Sequence, residues 1–177
     1  MRNLLIACLF LLAAMGLGAC SDPVRNARRT VGVIEATTAA AELDVARGAR
    51  TVILDLAEAE GHRRGAELRA AGCGPACATQ PSTALIDPCK GVVAASEARL
   101  AAEVKRVQDA QRRADGALDG VYATLRAVVK FLRVLTDPRP DGWEATLAAL
   151  VGAAVKSSAD CAAAVAGFKQ AIKGGAK

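Results

Sequence analysis

Cysteine and histidine are the residue types in this 177-residue chain most able to do chemistry: it has six Cys and one His. Cys73, Cys77 and Cys89 crowd into one stretch, and Cys161 stands alone much later. In an oxidising compartment four such thiols most simply form two disulfides. Pairing Cys73 or Cys77 with Cys89 closes the intervening loop, stabilising the fold by about 3 kcal/mol in the chain-entropy model. The alternative is a metal site from Cys73, Cys77, Cys89 and His62, because a C-x3-C pair can chelate. One His and no second close Cys pair count against it, so the expectation is disulfides, with no metal and no cofactor.

Other chemistry has less support. Cys73-Gly74-Pro75-Ala76-Cys77 resembles the Cys-Gly-Pro-Cys motif of thioredoxin-like proteins with Ala76 inserted. That resemblance implies thiol redox at a strand-to-helix corner, and the sequence carries no strand pattern. No C-x-x-C-H occurs for covalent haem, no G-x-S-x-G accompanies the lone His, and there is no phosphate loop. His62 is flanked by glycine and charge, the setting of a solvated residue. Glu97, Glu103, Asp115 and Asp119 fall at helical spacing among bases, as on a solvated face. The reading is therefore no catalytic residues and no enzyme, with thiol redox and hydrolysis as the lesser alternatives.

The N-terminal stretch specifies a location. Arg2 is followed by an apolar run from Leu4 to Met15, the length of a secretory signal and too short to span a bilayer. Leu17-Gly18-Ala19-Cys20 then resembles the lipobox of bacterial lipoproteins. The resemblance implies cleavage before Cys20, diacylglycerol on its thiol, and a fatty acyl chain such as palmitate on the new amine. Each buried methylene contributes about 0.8 kcal/mol, so several chains hold a protein firmly to a membrane. Residues 1–19 are then a cleaved signal peptide and 20–22 an anchor and short linker. No transmembrane helix is expected in the mature chain. Ser21 in place of Asp implies, by the same resemblance in Gram-negative envelopes, the outer membrane. Lys177 admits a second resemblance, to the major outer-membrane lipoprotein family, whose helical coiled coil ends in a lysine joined to peptidoglycan. That resemblance covers the two ends and the helicity only, and it makes Lys177 a wall-attachment candidate.

The elements that position the cysteines are helices. Ser21-Asp22-Pro23 reads as a helix start. Val24, Ala27, Val31, Ile34, Thr38, Ala41, Val45, Gly48 and Val52 then step by three and four, and Leu56, Ala59 and Ala66 continue after a shift of phase. This predicts a helix over 23–71, with a kink or early end at Gly61-His62-Arg63-Arg64-Gly65. Residues 72–89 form a Cys/Pro/Gly loop. Leu100, Val104, Val107, Gln111, Ala114, Leu118, Val121, Leu125, Val128, Leu132 and Leu135 form a heptad seam over about five heptads, predicting a helix over 90–136. Gln111 is the one polar residue on that seam. Asp137-Pro138-Arg139-Pro140-Asp141-Gly142 turns the chain. Leu147, Val151, Ala154, Ser158, Cys161, Val165, Phe168 and Ile172 predict a third helix over 143–172, leaving 173–177 as a flexible basic tail.

The expected fold is all-α, an elongated antiparallel three-helix bundle over 23–172 with coiled-coil character. The first two helices would each run roughly 70 Å and the third about 45 Å. Cys161 then lies too far from the loop for a bridge, which needs Cα atoms within about 7 Å. Either the first helix breaks near Gly61 and lets Cys77 reach Cys161, or Cys161 is a buried free thiol; the first is the expectation.

The formal charge of +5 falls to +4 once Arg2 is removed, and the basic residues form pairs rather than a stripe. With three Phe, one Tyr and one Trp there is no platform for stacking bases, so no nucleic-acid partner is expected. Weak attraction to anionic headgroups or wall polymers fits the charge. Trp143 is expected to pack at the turn around Pro138 or to touch the membrane interface. The functional expectation is a lipid-anchored, extracytoplasmic helical protein that presents its stapled loop to an unknown protein partner. A ligand or metal binder using the Cys73–Cys89 loop is the alternative.

Overall fold

The structure is a computed structural model that describes residues 22–74, 89–135 and 138–174. Among these, all regular structure is helical, in three helices: α1 (Pro23–Ala70), α2 (Cys89–Val134) and α3 (Trp143–Lys173). The fold is an all-α three-helix bundle. Cys20, Ser21, Cys77 and Lys177 lie outside the described residues.

Local chemistry sets the helix ends. The Val24 N–H donates to the Asp22 carboxylate at 3.0 Å, so Asp22 caps α1 and Pro23 occupies its first turn. At the other end Gly72 adopts φ +76°, a left-handed conformation that costs an ordinary residue steric strain. The Cys73 N–H donates to the Leu68 carbonyl at 2.9 Å, and the Gly72 N–H to the Arg69 carbonyl at 3.1 Å. That pair of bonds is a Schellman motif, which satisfies carbonyls the last turn leaves open. Before α3, Gly142 also has φ +74°, the Thr146 N–H donates to its carbonyl at 3.1 Å, and Arg139 stacks over the Trp143 ring at 4.5 Å.

The helices group into two compact units. The first takes α1 up to Glu42, α2 from Asp115 and α3 up to Ala164. Its core is Ala27, Ile34, Thr38, Leu118, Val121, Leu125, Val128, Leu147, Ala154 and Cys161. The buried Thr38 hydroxyl is satisfied by the Ile34 carbonyl at 2.7 Å. The second takes α1 from Leu43, α2 up to Ala114 and α3 from Val165. Its core includes Val45, Ala49, Leu68, Val93, Val107, Ala110, Ala114, Val165 and Phe168. Within this unit α1 comes so close to α3 that a Cβ built on Gly48 would lie 3.2 Å from the Phe168 ring.

Three expectations change. First, α1 runs unbroken through Gly61-His62-Arg63-Arg64-Gly65. A Cβ at Gly61 would meet nothing within 4 Å, so no neighbour drives a bend there, and a helix interior tolerates glycine at a cost of roughly 1 kcal/mol. Second, Ala59 and Ala66 are exposed; beyond Val52 the inward positions step by four, through Leu56, Glu60, Arg64 and Leu68. Third, Ala110 takes the buried place on α2 and Gln111 is half-buried, because sealing an amide in the core costs more than sealing a methyl. In addition, α3 is long and apolar enough to cross a membrane by length and composition, with a mean hydropathy of 1.3 over its most apolar 18 residues. Alanine supplies that hydropathy while burying little area, and 17% of the stretch is buried.

Candidate functional site

Where α1 gives way to α2, the sequence signals and the packing coincide. The Schellman turn aims Cys73 back at the bundle, and Cys89 opens α2. Their Cα atoms stand 6.1 Å apart and the sulfurs are bonded. Leu68, Cys73, Cys89 and Val93 form one buried cluster, with Val92 packed against it. The disulfide therefore closes the segment between residues 73 and 89 at its neck, on an apolar plug.

That bond bears on the disulfide reading of the cysteines. A disulfide sulfur is not a thiolate, so Cys73 and Cys89 are removed from the set Cys73, Cys77, Cys89 and His62. His62 is exposed on α1, and its Nε2 lies 3.8 Å from Glu58. Cys161 carries a free thiol and is buried at 4% exposure; the expected link to Cys77 required a break in α1 that does not occur. Burial pushes the Cys161 thiol pKa above its ordinary value.

Next to the plug lies a polar cluster. Arg99 on α2 bonds Glu60 through Nε at 3.1 Å and a terminal nitrogen at 2.7 Å. The same terminal nitrogen reaches Glu67 at 2.8 Å. Arg63 adds contacts of 3.3 Å to Glu60 and 3.5 Å to Glu67. Two carboxylates between two guanidiniums are electrostatically satisfied, which makes this a latch between α1 and α2 rather than a proton-transfer pair.

In the first unit, Tyr122 Oη donates to Glu42 at 2.9 Å. Desolvation, then the hydrogen bond and the charge of Glu42, with a further contribution from Glu35, hold its phenol above the ordinary value. Beside it runs an open groove between α1 and α2. One part, about 300 Å³, is lined by Val31, Glu35, Tyr122, Leu125, Arg126, Val129, Lys130 and Arg133. The adjoining part, about 430 Å³, is lined by Arg28, Val31, Val129, Leu132 and Arg133.

Known protein families, curated proteins and solved structures give no match to this chain.

The disulfide corner was visible in the sequence as a cluster of Cys, Gly and Pro. The groove was missed. Its signal was there: Arg126, Lys130 and Arg133 step by four and three, one face of a helix.

Proposed function

We propose that this chain is a lipid-anchored, extracytoplasmic helical protein with a non-catalytic structural or protein-interaction role, attached through Cys20 and presenting the segment that the Cys73–Cys89 bond closes. The observation that carries this reading is that bond. Cystines persist in oxidising compartments and are rare in reducing ones. It agrees with the export signal and the lipobox-like Leu17-Gly18-Ala19-Cys20. A segment pinned at its neck on an apolar plug loses conformational entropy before it meets a partner, which favours its use in recognition. The satisfied Arg99–Glu60–Glu67 cluster beside it holds the two helices that carry the segment.

Intact mass of the protein purified from membranes tests the anchor. The expected species starts at Cys20 and carries diacylglycerol plus an acyl chain, and Cys20→Ser abolishes both. A chain without lipid overturns the anchor. A photo-crosslinker at Thr83 tests the interaction role. The expected result is one reproducible protein adduct, lost in Cys73→Ser and absent when the crosslinker replaces Glu97 on a solvated face. Equal labelling from both positions overturns it. Peptidoglycan attachment through Lys177 predicts Lys177-linked muropeptides after digestion of sacculi, and their absence removes it.

A further inference from the structure

We propose that the groove lined by Arg28, Arg126, Lys130 and Arg133 is a binding site for the headgroup of an anionic phospholipid. Three features point to this occupant. The first is charge. All four cations line the two adjoining hollows, and among the described residues none of them is paired with an acid. Elsewhere Arg63 and Arg99 are neutralised by Glu60 and Glu67, Arg106 by Glu103, Arg112 by Asp109 and Lys169 by Asp44; what sets the four apart is that they converge on one groove. The one acid in the groove, Glu35, acts on Tyr122 and is absent from the part lined by Arg28 and Arg133. The phosphate is therefore assigned to the Arg28–Arg133 end.

The second feature is the floor. Val31, Val129 and Leu132 are half-buried and apolar, and Leu125 is buried beneath them. Cations over an apolar floor match an amphiphile: guanidiniums take the phosphate by paired N–H bonds, and the floor takes the glycerol and first methylenes. A free inorganic anion would use the cations and leave the floor wet.

The third feature is position. Arg28 lies one turn and a half beyond Pro23, roughly 8 Å along α1. The polar headgroup layer of a bilayer is about 5–8 Å deep on each side. A chain held at Cys20 therefore brings long arginine side chains at this level within reach of headgroup phosphates. Only this third feature rests on the anchor reading.

Native mass spectrometry of the full protein, released from neutral micelles that contain equal phosphatidylglycerol and phosphatidylcholine, reads both propositions at once. The mass of the bare protein reports acylation of Cys20, and the adducts report headgroup selection, so each can fail alone. We expect phosphatidylglycerol to be retained about tenfold over phosphatidylcholine. The Arg28→Glu/Arg133→Glu double variant should lose that preference, whereas Lys156→Glu, outside the groove, should keep it. All these side chains are exposed, and helical circular dichroism verifies the fold. Equal retention of the two lipids overturns the proposal, as does a preference that survives Arg28→Glu/Arg133→Glu. Displacement of the lipid by millimolar inorganic phosphate also overturns it, by assigning the site to a soluble anion.

Discussion

Arg99 of α2 and Glu60 of α1 meet at 2.7 Å, with Glu60 on the inward line between Leu56 and Leu68, and Glu60 retains only 13% of its side-chain exposure. A half-buried pair of this kind is strongly felt when one partner is removed, because the other is left without its counter-charge. Glu60→Ala or Arg99→Ala should each destabilise by about 1–3 kcal/mol in urea unfolding. Glu60→Leu combined with Arg99→Met should recover most of that loss. A double variant as unstable as the sum of the singles would show that the pair does more than close the seam.

The Cys73–Cys89 bond and the Gly72 turn act on the same corner, by different means. Cys89→Ser should lower unfolding free energy by about 3 kcal/mol, chiefly by freeing the unfolded chain, and the wild type in reductant should match it. Gly72→Ala should cost about 1 kcal/mol in either redox state, since its cost arises from the left-handed backbone. Chemical denaturation of both variants with and without reductant separates the two.

Alkaline pH should weaken the first unit. Tyr122 and Cys161 both have pKa values raised in the fold, chiefly by desolvation. As pH rises, the unfolded chain therefore loses these protons first. The stability they contribute is intact below the ordinary values, about 8.5 for a thiol and about 10 for a phenol. It declines as pH climbs through the folded values. Tyr122 is the only tyrosine, so its absorbance titration is unambiguous. Glu42→Gln should move its midpoint down towards the ordinary value, and an unmoved midpoint would contradict the Glu42 bond. Cys161 should resist alkylation until the protein unfolds.

Two glycines of α1 should respond oppositely to substitution. At Gly61 a Cβ meets nothing within 4 Å, so Gly61→Ala should stabilise by roughly 0.5–1 kcal/mol through helix propensity alone. At Gly48 the same atom would lie 3.2 Å from a Phe168 ring that is 2% exposed and has little room to move. Gly48→Val should therefore destabilise by about 1–3 kcal/mol through overpacking. Thermal unfolding of the two variants measures the difference in sign.

The sequence by itself determined the helices. Their cap at Asp22-Pro23, their turn at Gly72, the stop before Pro138 and the three-and-four spacing on α3 are local signals, and helix formation is governed by neighbours within a turn or two. The expected bounds 23–71, 90–136 and 143–172 lie within two residues of Pro23–Ala70, Cys89–Val134 and Trp143–Lys173. Only the tertiary structure decided which cysteine meets which. Cys73 with Cys89, and Cys161 alone, depend on distances between residues remote in sequence, and spacing carries no such distance. The same holds for Ala110 displacing Gln111 and for Glu60 turning inward onto Arg99, which a periodicity of apolar residues does not register. Arg28 joins Arg126, Lys130 and Arg133 for the same reason. The stepping of the last three is written in α2, but the fourth arrives from α1, and packing alone brings it there.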